Sequence, residues 1–350
     1  MDVDYIIVGC GLASIAFCEQ LRSHQKTFVV FDNASQQSSL VAAGLYNPVT
    51  LKRFTEVWEA DAQLTLAMPY YGRLEQLLNV KLDYKVRILR RFASIEEQNL
   101  WYSATDKPLL EPYLSPEIIK TNFDGIDSPF GFGEVFQAGR VDTAILISAY
   151  KKYLREQQCL FDESLHYREL KSNNQTINYK HIISKNIVFA EGFGVKNNPY
   201  FKDLPLNGTK GEIMEVYAPN LNLEVAVKSS VFLIPLGNHH YNVGATYNWN
   251  DKTNQTTQAA KEDLSKKLKQ FLKAPFEVVE QKAGIRPTTK DRRPLVGRHS
   301  TYQNMFVLNG LGTRGVMISP YVADALYKYI EANQPLPNEI DINRFLVGQD

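Results

Sequence analysis

The sequence predicts an α/β fold, with a βαβ unit at the N-terminus and a mostly antiparallel sheet plus helices in the middle of the chain. Three observations point there. Residues 5–8 form a short apolar, β-branched run, residues 12–21 carry apolar side chains at helical spacing, and residues 27–31 form a second apolar run. The middle reads as strands. Residues 86–92, 211–217, 231–235, 241–246 and 276–280 alternate or cluster in the β sense, with Asn and Gly turns between them. Apolar stripes of helical period fill residues 55–79, through Leu64, Tyr71 and Leu74, and residues 258–273, through Leu264, Leu268 and Phe271.

With 350 residues, 44% of them hydrophobic, the chain exceeds what one compact core needs and reads as two domains sharing an interface. Charge narrows the partners. The 39 basic and 38 acidic residues leave a net charge of +1, with no global pull toward nucleic acid or an anionic membrane, so small neutral or zwitterionic partners fit better. Cys10, Cys18 and Cys159 are odd in number and far apart, which argues against a disulfide framework and for a reducing compartment, the cytoplasm. No signal peptide is expected, because the chain runs from Met-Asp-Val-Asp straight into its first apolar run without a basic flank. No run of about eighteen apolar residues is present to span a membrane. The polar stretches 171–175 and 248–257 read as surface loops, and the Asn-x-Thr triplets at Asn174, Asn207 and Asn254 as chance matches.

The strongest chemical signal is the turn Gly9-Cys10-Gly11-Leu12-Ala13-Ser14, which follows the first apolar run and opens the first helix. Each position has a physical reason. Gly9 permits a tight turn, Gly11 lets backbone approach a pyrophosphate at the positive helix end, and Ser14, in place of a third glycine, is small enough for helix and strand to pack closely. Asp32, with Asn33 after it, ends the second run about 20 residues on, where a carboxylate accepts bonds from ribose hydroxyls. A dinucleotide with a free 2′-hydroxyl is implied. The alternative is an ordinary βαβ turn without a ligand. A second Gly-x-Gly, at residues 192–197, is a weak candidate for a nicotinamide cofactor, because Asn198-Pro199 breaks any helix there and no acidic strand end follows.

Other segments supply small residues where backbone must lie close to a ligand: residues 38–48, the turn Ala190-Glu191-Gly192, residues 283–287, residues 291–297 and the glycine-rich residues 309–316. Ser319-Pro320 reads as a helix start. In their order these segments resemble the D-amino-acid oxidase, glycine oxidase and sarcosine oxidase family, and the likeness covers essentially the whole chain. The resemblance implies a Rossmann-type FAD-binding domain, discontinuous over residues 1–52, 136–212 and 284–350, with a substrate domain from residues 53–135 and 213–283. It also implies roles. Ser38, Ser39, Ala42, Ala43 and Gly44 would wrap the FAD diphosphate and flavin edge, and Ala190 and Gly192 would lie against FAD. Gly312, Thr313, Arg314, Gly315, Val316 and Met317 would face the isoalloxazine ring, and Arg286 would bind the substrate carboxylate. Residues 36–39 hold no histidine and the late glycine loop no cysteine, so the FAD is expected to be noncovalent.

An arginine presents a planar fork that binds a carboxylate through two parallel bonds, which suits Arg286; the bland reading is a surface or ion-pair residue. Arg314 is a second candidate cation, placed to stabilise an anionic reduced flavin together with the dipole of the helix that starts nearby. Tyr247 and Trp249 are candidates for substrate-facing aromatics, or for packing. Adjacent His239 and His240, read on one strand, face opposite ways and cannot chelate one metal, so no metal is expected. Lys52-Arg53 and Arg90-Arg91 read as solvated faces. The expected chemistry is oxidation of the carbon–nitrogen bond of a small amine or amino acid: the α-hydrogen leaves to flavin N5 as hydride and the imine hydrolyses. Oxygen or another acceptor then takes the electrons. Two alternatives stand beside it, an FAD-dependent oxidoreductase acting on a tRNA wobble-uridine side chain, against which the absence of a basic surface argues, and a non-enzymatic flavin-binding protein.

Overall fold

The computed structural model describes residues 1–173 and 175–345. The triplet asparagine Asn174, and the last five residues of the segment 284–350, lie outside the described residues.

The strand Asp2–Val8 sits at the centre of the first sheet, pairing in parallel with Phe28–Phe31 on one side and Ile182–Phe189 on the other. Its sequence explains the position. Tyr5, Ile6 and Ile7 are buried on both faces, as a parallel strand covered by helices requires. Leu160–Phe161 extends the sheet beyond Phe28–Phe31, and Met305–Asn309 lies alongside Ile182–Phe189, both in parallel. The helices Leu12–Ser23, Thr143–Glu156 and Gly315–Ala332 contribute to one core cluster with this sheet. Residues 171–175 are only partly the expected loop. Lys171–Ser172 pairs with Ile177–Tyr179, which in turn pairs with Ile182–Phe189 as an antiparallel edge.

The second large sheet runs in the order Glu277–Thr289, Leu206–Tyr217, His240–Gly244, Phe232–Gly237, Ala226–Lys228, Ile88–Arg91, Phe132–Val135 and Leu114–Ile119. Antiparallel pairing dominates it, with one parallel pair between Ala226–Lys228 and Ile88–Arg91. Its two faces differ. Met214, Val216, Leu233 and Val243 pack with Leu264 and Leu268 of the helix Gln258–Lys269, whose first turn is capped by Thr257 accepting from Ala260 N at 3.2 Å. The alternate residues face a cavity. The strands of the first sheet fall within residues 1–52, 136–212 and 284–350, while Leu206–Tyr217 and Glu277–Thr289 run through the limits drawn at 212/213 and 283/284.

Several local expectations are corrected by tertiary context. The helix anticipated over residues 55–79 is Ala60–Leu78, because Thr55–Glu56 is used in a hairpin with Val49–Thr50. Phe276–Glu280 was too short a reading. The strand continues to Thr289 and carries Arg286. His239 is not on a strand: Asn238 and His239 have φ of 51° and 61°, the left-handed values of a tight hairpin turn, and only His240 starts the strand. His240 Nδ1 lies 2.6 Å from a Glu215 oxygen. Arg90 and Arg91 are not solvated; Arg90 pairs with Glu97, and Arg91 donates to the Asp127 carbonyl. Among the described residues no helix is long and apolar enough to cross a membrane, and no group of three His, Cys, Asp or Glu side chains could hold a metal ion.

Ser319-Pro320 does not start its helix, which begins a turn earlier at Gly315 and carries Pro320 inside. A proline there removes the N–H that would bond the Val316 carbonyl. Tyr71, fully buried on the helix Ala60–Leu78, replaces it by donating its hydroxyl to Val316 O at 2.8 Å. The bond fastens two helices at the point where the ladder is broken. Tyr71→Phe should therefore strand a buried carbonyl and cost about 1 to 3 kcal/mol. Denaturant unfolding of the two proteins, both loaded with cofactor, checks it; equal midpoints would mean that Val316 O finds another donor.

Candidate functional site

One cavity of about 1470 Å³ is lined by residues of both large sheets. Its first wall is the glycine turn. Gly9 has φ of +97°, and a Cβ there would stand 2.6 Å from the Ala190 carbonyl, so only glycine fits between the two parallel strand ends. Gly11, Leu12 and Ala13 line the cavity at the start of the first helix, where unpaired N–H groups attract an anion. Ser39 Oγ sits over this helix end, 3.4 Å from Leu12 N. Ser14 does not line the cavity; it is buried within the helix, which makes it a packing residue. Cys10 lies in the turn, and burial pushes its thiol up to about 12, which keeps it protonated and unreactive.

Asp32 ends the second strand beside the turn. One of its oxygens accepts from Cys10 N at 3.2 Å, and the other is 2.5 Å from Lys151 Nζ on the helix Thr143–Glu156. Asn33 lines the cavity next to it and donates to Ser164 Oγ at 2.9 Å. Ser38, Ser39, Ala42, Ala43 and Gly44 follow along the same wall, the first two in the short helix Ser38–Val41. Ala190 and Gly192 line it from the end of the third strand. Glu191 between them is held by the Tyr167 hydroxyl and the Asn198 amide, and burial raises its proton affinity. The rival Gly192-Phe-Gly segment is a 3-10 helix on this same wall.

The late glycine loop closes the cavity. Gly312, Thr313, Arg314, Gly315, Val316 and Met317 all line it, around the N-terminus of the helix Gly315–Ala332. Arg314 donates to Thr50 Oγ1 at 2.9 Å, and burial lowers its pKa to about 10. Gly312 N donates to the Pro287 carbonyl at 3.0 Å, which ties this loop to the strand that carries Arg286.

The second sheet forms the opposite wall, and register decides which residues it shows. Arg90, Lys228, Phe232, Gly244 and Ile213 are successive cross-strand partners, so they share one face, and all five line the cavity. Two residues further along from Ile213, Gly211 faces Gly284, and four residues along, Thr209 faces Arg286. The Arg286 guanidinium lies where a side chain at position 211 would be: a Cβ on Gly211 would fall 2.0 Å from its Nη2. It donates to the Thr246 carbonyl at 3.2 Å and sits 4.8 Å from the Tyr247 ring centroid. Among the described residues no carboxylate pairs with it, and burial pulls its proton affinity down. Tyr247 and Trp249 are largely exposed at the cavity edge, on a segment pinned by Lys210 through Asp251 at 2.5 Å.

Sequence reasoning missed Gly211, Lys151 and Lys228. For Gly211 a signal was available, since a lone glycine inside a strand pattern marks close approach of another group. The assembled walls fit a dinucleotide on structural grounds: a helix N-terminus opening past a side-chain-free turn, a carboxylate at the neighbouring strand end, and room for an extended ligand.

Comparison with known proteins agrees with the fold and cofactor. The profile of the DAO family, described as FAD dependent oxidoreductase, matches residues 4–328. The glycine oxidase of Bacillus subtilis (strain 168) is 24% identical over 375 aligned positions, covering 97% of this chain and 96% of that protein. The tRNA 5-methylaminomethyl-2-thiouridine biosynthesis bifunctional protein MnmC of Idiomarina loihiensis is 26% identical over 129 positions, covering 35% of this chain and 21% of that much longer protein. Among solved structures, glycine oxidase from Geobacillus kaustophilus superposes with a TM-score of 0.80 at 18% identity, over 100% of this chain and 99% of that one. A family match along nearly the whole chain, on a cavity built for a dinucleotide, makes this protein an enzyme of the DAO family of FAD-dependent oxidoreductases.

Proposed function

We propose that this enzyme oxidises the carbon–nitrogen bond of a small amine or amino acid that carries a carboxylate, and that Arg286 binds that carboxylate. The single observation behind this reading is a cavity-facing guanidinium with no carboxylate of its own. An anionic group entering the cavity would supply the missing partner through two parallel bonds and orient the substrate's α-carbon. FAD, when bound, would supply the two-electron acceptor for the hydride that leaves the substrate's α-carbon. The chain's own residues do the rest. Arg286 positions, the Tyr247 ring covers the guanidinium from the solvent side, and Arg314 with the adjacent helix N-terminus places positive charge in the late glycine loop. The substrate's neutral amine lone pair drives loss of the hydride, after which the imine takes up water; no protein base is required.

The residues of the glycine turn, Asp32, Asn33, the 38–44 wall, Ala190, Gly192 and the 312–317 loop are proposed to hold the FAD without a covalent bond. Lys151 competes for Asp32 and would have to share it with the ribose. Oxygen or another acceptor takes the electrons afterwards. Three unpaired thiols fit a reducing compartment, for which the cytoplasm is the proposed one. A second reading, a side chain on a tRNA nucleoside as substrate, is favoured by the match to the MnmC protein, and a glycine moiety with a free carboxylate there would use Arg286 in the same way.

Three outcomes test the proposal. Acid precipitation should release intact FAD into the supernatant, and flavin remaining with the pellet would contradict noncovalent binding. Arg286→Lys keeps the charge and loses the fork, so productive binding of an amino acid should weaken by about 1 to 3 kcal/mol while FAD stays bound. Anaerobic flavin reduction against substrate concentration, for an amino acid and its matching decarboxylated amine, separates roles: equal losses for both would assign Arg286 to flavin or fold. Gly211→Ala puts a methyl group into the space of the guanidinium, and it should raise the amino-acid concentration needed for half-maximal reduction by at least as much as Arg286→Lys does. An unchanged value would show that Arg286 does not bind substrate from its present position.

A further inference from the structure

At the other end of the same sheet face stands a cation that pairs with no carboxylate among the described residues. Lys228 is largely buried, its Nζ lies 4.8 Å from the Phe232 ring centroid, and among the described residues its one polar contact is the Ser230 carbonyl at 3.4 Å. Its neighbours share its sign. Arg90 is its cross-strand partner, and Lys52 and Lys267 also lie close enough to repel it. Arg90 and Lys267 each have a carboxylate, Glu97 and Asp263, whereas among the described residues Lys228 and Lys52 have none. Burial, and then repulsion by Arg90, Lys267 and Lys52, lowers the Lys228 pKa to about 8. All four cations line the cavity.

Stability does not explain this arrangement. A neutral side chain of similar length would stack on Phe232 without desolvating a charge or facing three like charges. An anion between Lys228 and Lys52 relieves both costs at once. The register also sets where this happens relative to Arg286. Four strand steps separate the strand of Lys228 from that of Arg286, roughly 19 Å across the sheet, so a ligand that reaches both is elongated.

We propose that Lys228, with Lys52 and Arg90 around it, forms a second anion subsite, and that the substrate carries a phosphate or carboxylate remote from its reacting amine. This rests on the reading of Arg286 as the clamp for the first carboxylate. The shared chemistry is a compact oxyanion; the subsite selects substrates by their far end and takes no part in the oxidation.

The experiment uses FAD-loaded protein and has two arms. In the first, calorimetric titration with inorganic phosphate compares wild type, Lys228→Gln, Lys228→Arg and Arg286→Lys. Phosphate affinity should fall about tenfold in Lys228→Gln, as loss of a charged hydrogen bond implies. It should be retained in Lys228→Arg and in Arg286→Lys. Affinity kept in Lys228→Gln, or lost only in Arg286→Lys, overturns the subsite. Should Lys228→Gln lose its FAD or its thermal transition, Lys52→Gln replaces it, with the same expected direction and the same overturning result. The second arm measures flavin reduction by α-amino acids whose side chains have one length and end in a phosphate, a carboxylate or a carboxamide. Wild type should prefer an anionic end, the better of the two naming the source, and the preference should fall about tenfold in Lys228→Gln. No preference in wild type, or one that survives the substitution, overturns the proposal. If none of the amino acids reduces the flavin, the Arg286 reading fails while the phosphate titration still decides the subsite.

Discussion

A guanidinium withdrawn from water costs several kcal/mol unless charge or dipoles compensate it, and among the described residues Arg286 has only the Thr246 carbonyl and the Tyr247 ring to do so. The surrounding structure is arranged around that cost. Space for the head group exists because position 211 carries no side chain, and the two strands stay in register from Leu206 to Glu215, with a bulge only beyond that point, so Gly211 and Arg286 cannot drift apart. Immediately after Arg286, the Pro287 carbonyl accepts from Gly312 N. That bond joins the segment carrying the cation to the glycine loop on the cofactor side. The backbone of Arg286 is therefore tied to the loop through one short covalent and hydrogen-bonded path, with no flexible linker in it.

What could be read from the sequence was local, and what could not was brought together from afar. The turn from Gly9 to Ala13 and the acid at Asp32 belong to one βαβ unit, so spacing alone located them. The Asp32 partner, Lys151, is 119 residues away and on a helix that no spacing rule connects to it. Pro320 was misread for the same reason. A proline after a serine is a sound local signal for a helix start, and it failed because a tyrosine from another helix satisfies the carbonyl that the proline leaves bare. His239 went wrong because strand alternation was extended into a two-residue turn, where Gly237 before it was the available warning.

Charge shows a different limit. A net charge of +1 argues only about the field far from the molecule, because within a Debye length of about 8 Å the local arrangement decides. Here the cations are gathered. The cavity is lined by Arg286, Arg314, Arg90, Lys228 and Lys52 among others, while its carboxylates are few and Asp32 already has Lys151. The argument from overall charge against an anionic or nucleotide-linked substrate therefore loses its force at the place where the substrate would sit. Arg90 has Glu97, but among the described residues Arg286 and Lys228 have no carboxylate, so compensation for these two is left to ligands. In the proposed arrangement the FAD pyrophosphate would lie with the glycine turn, and Arg286 and Lys228, which pair with no carboxylate among the described residues and stand on one face four strands apart, would be left for the substrate.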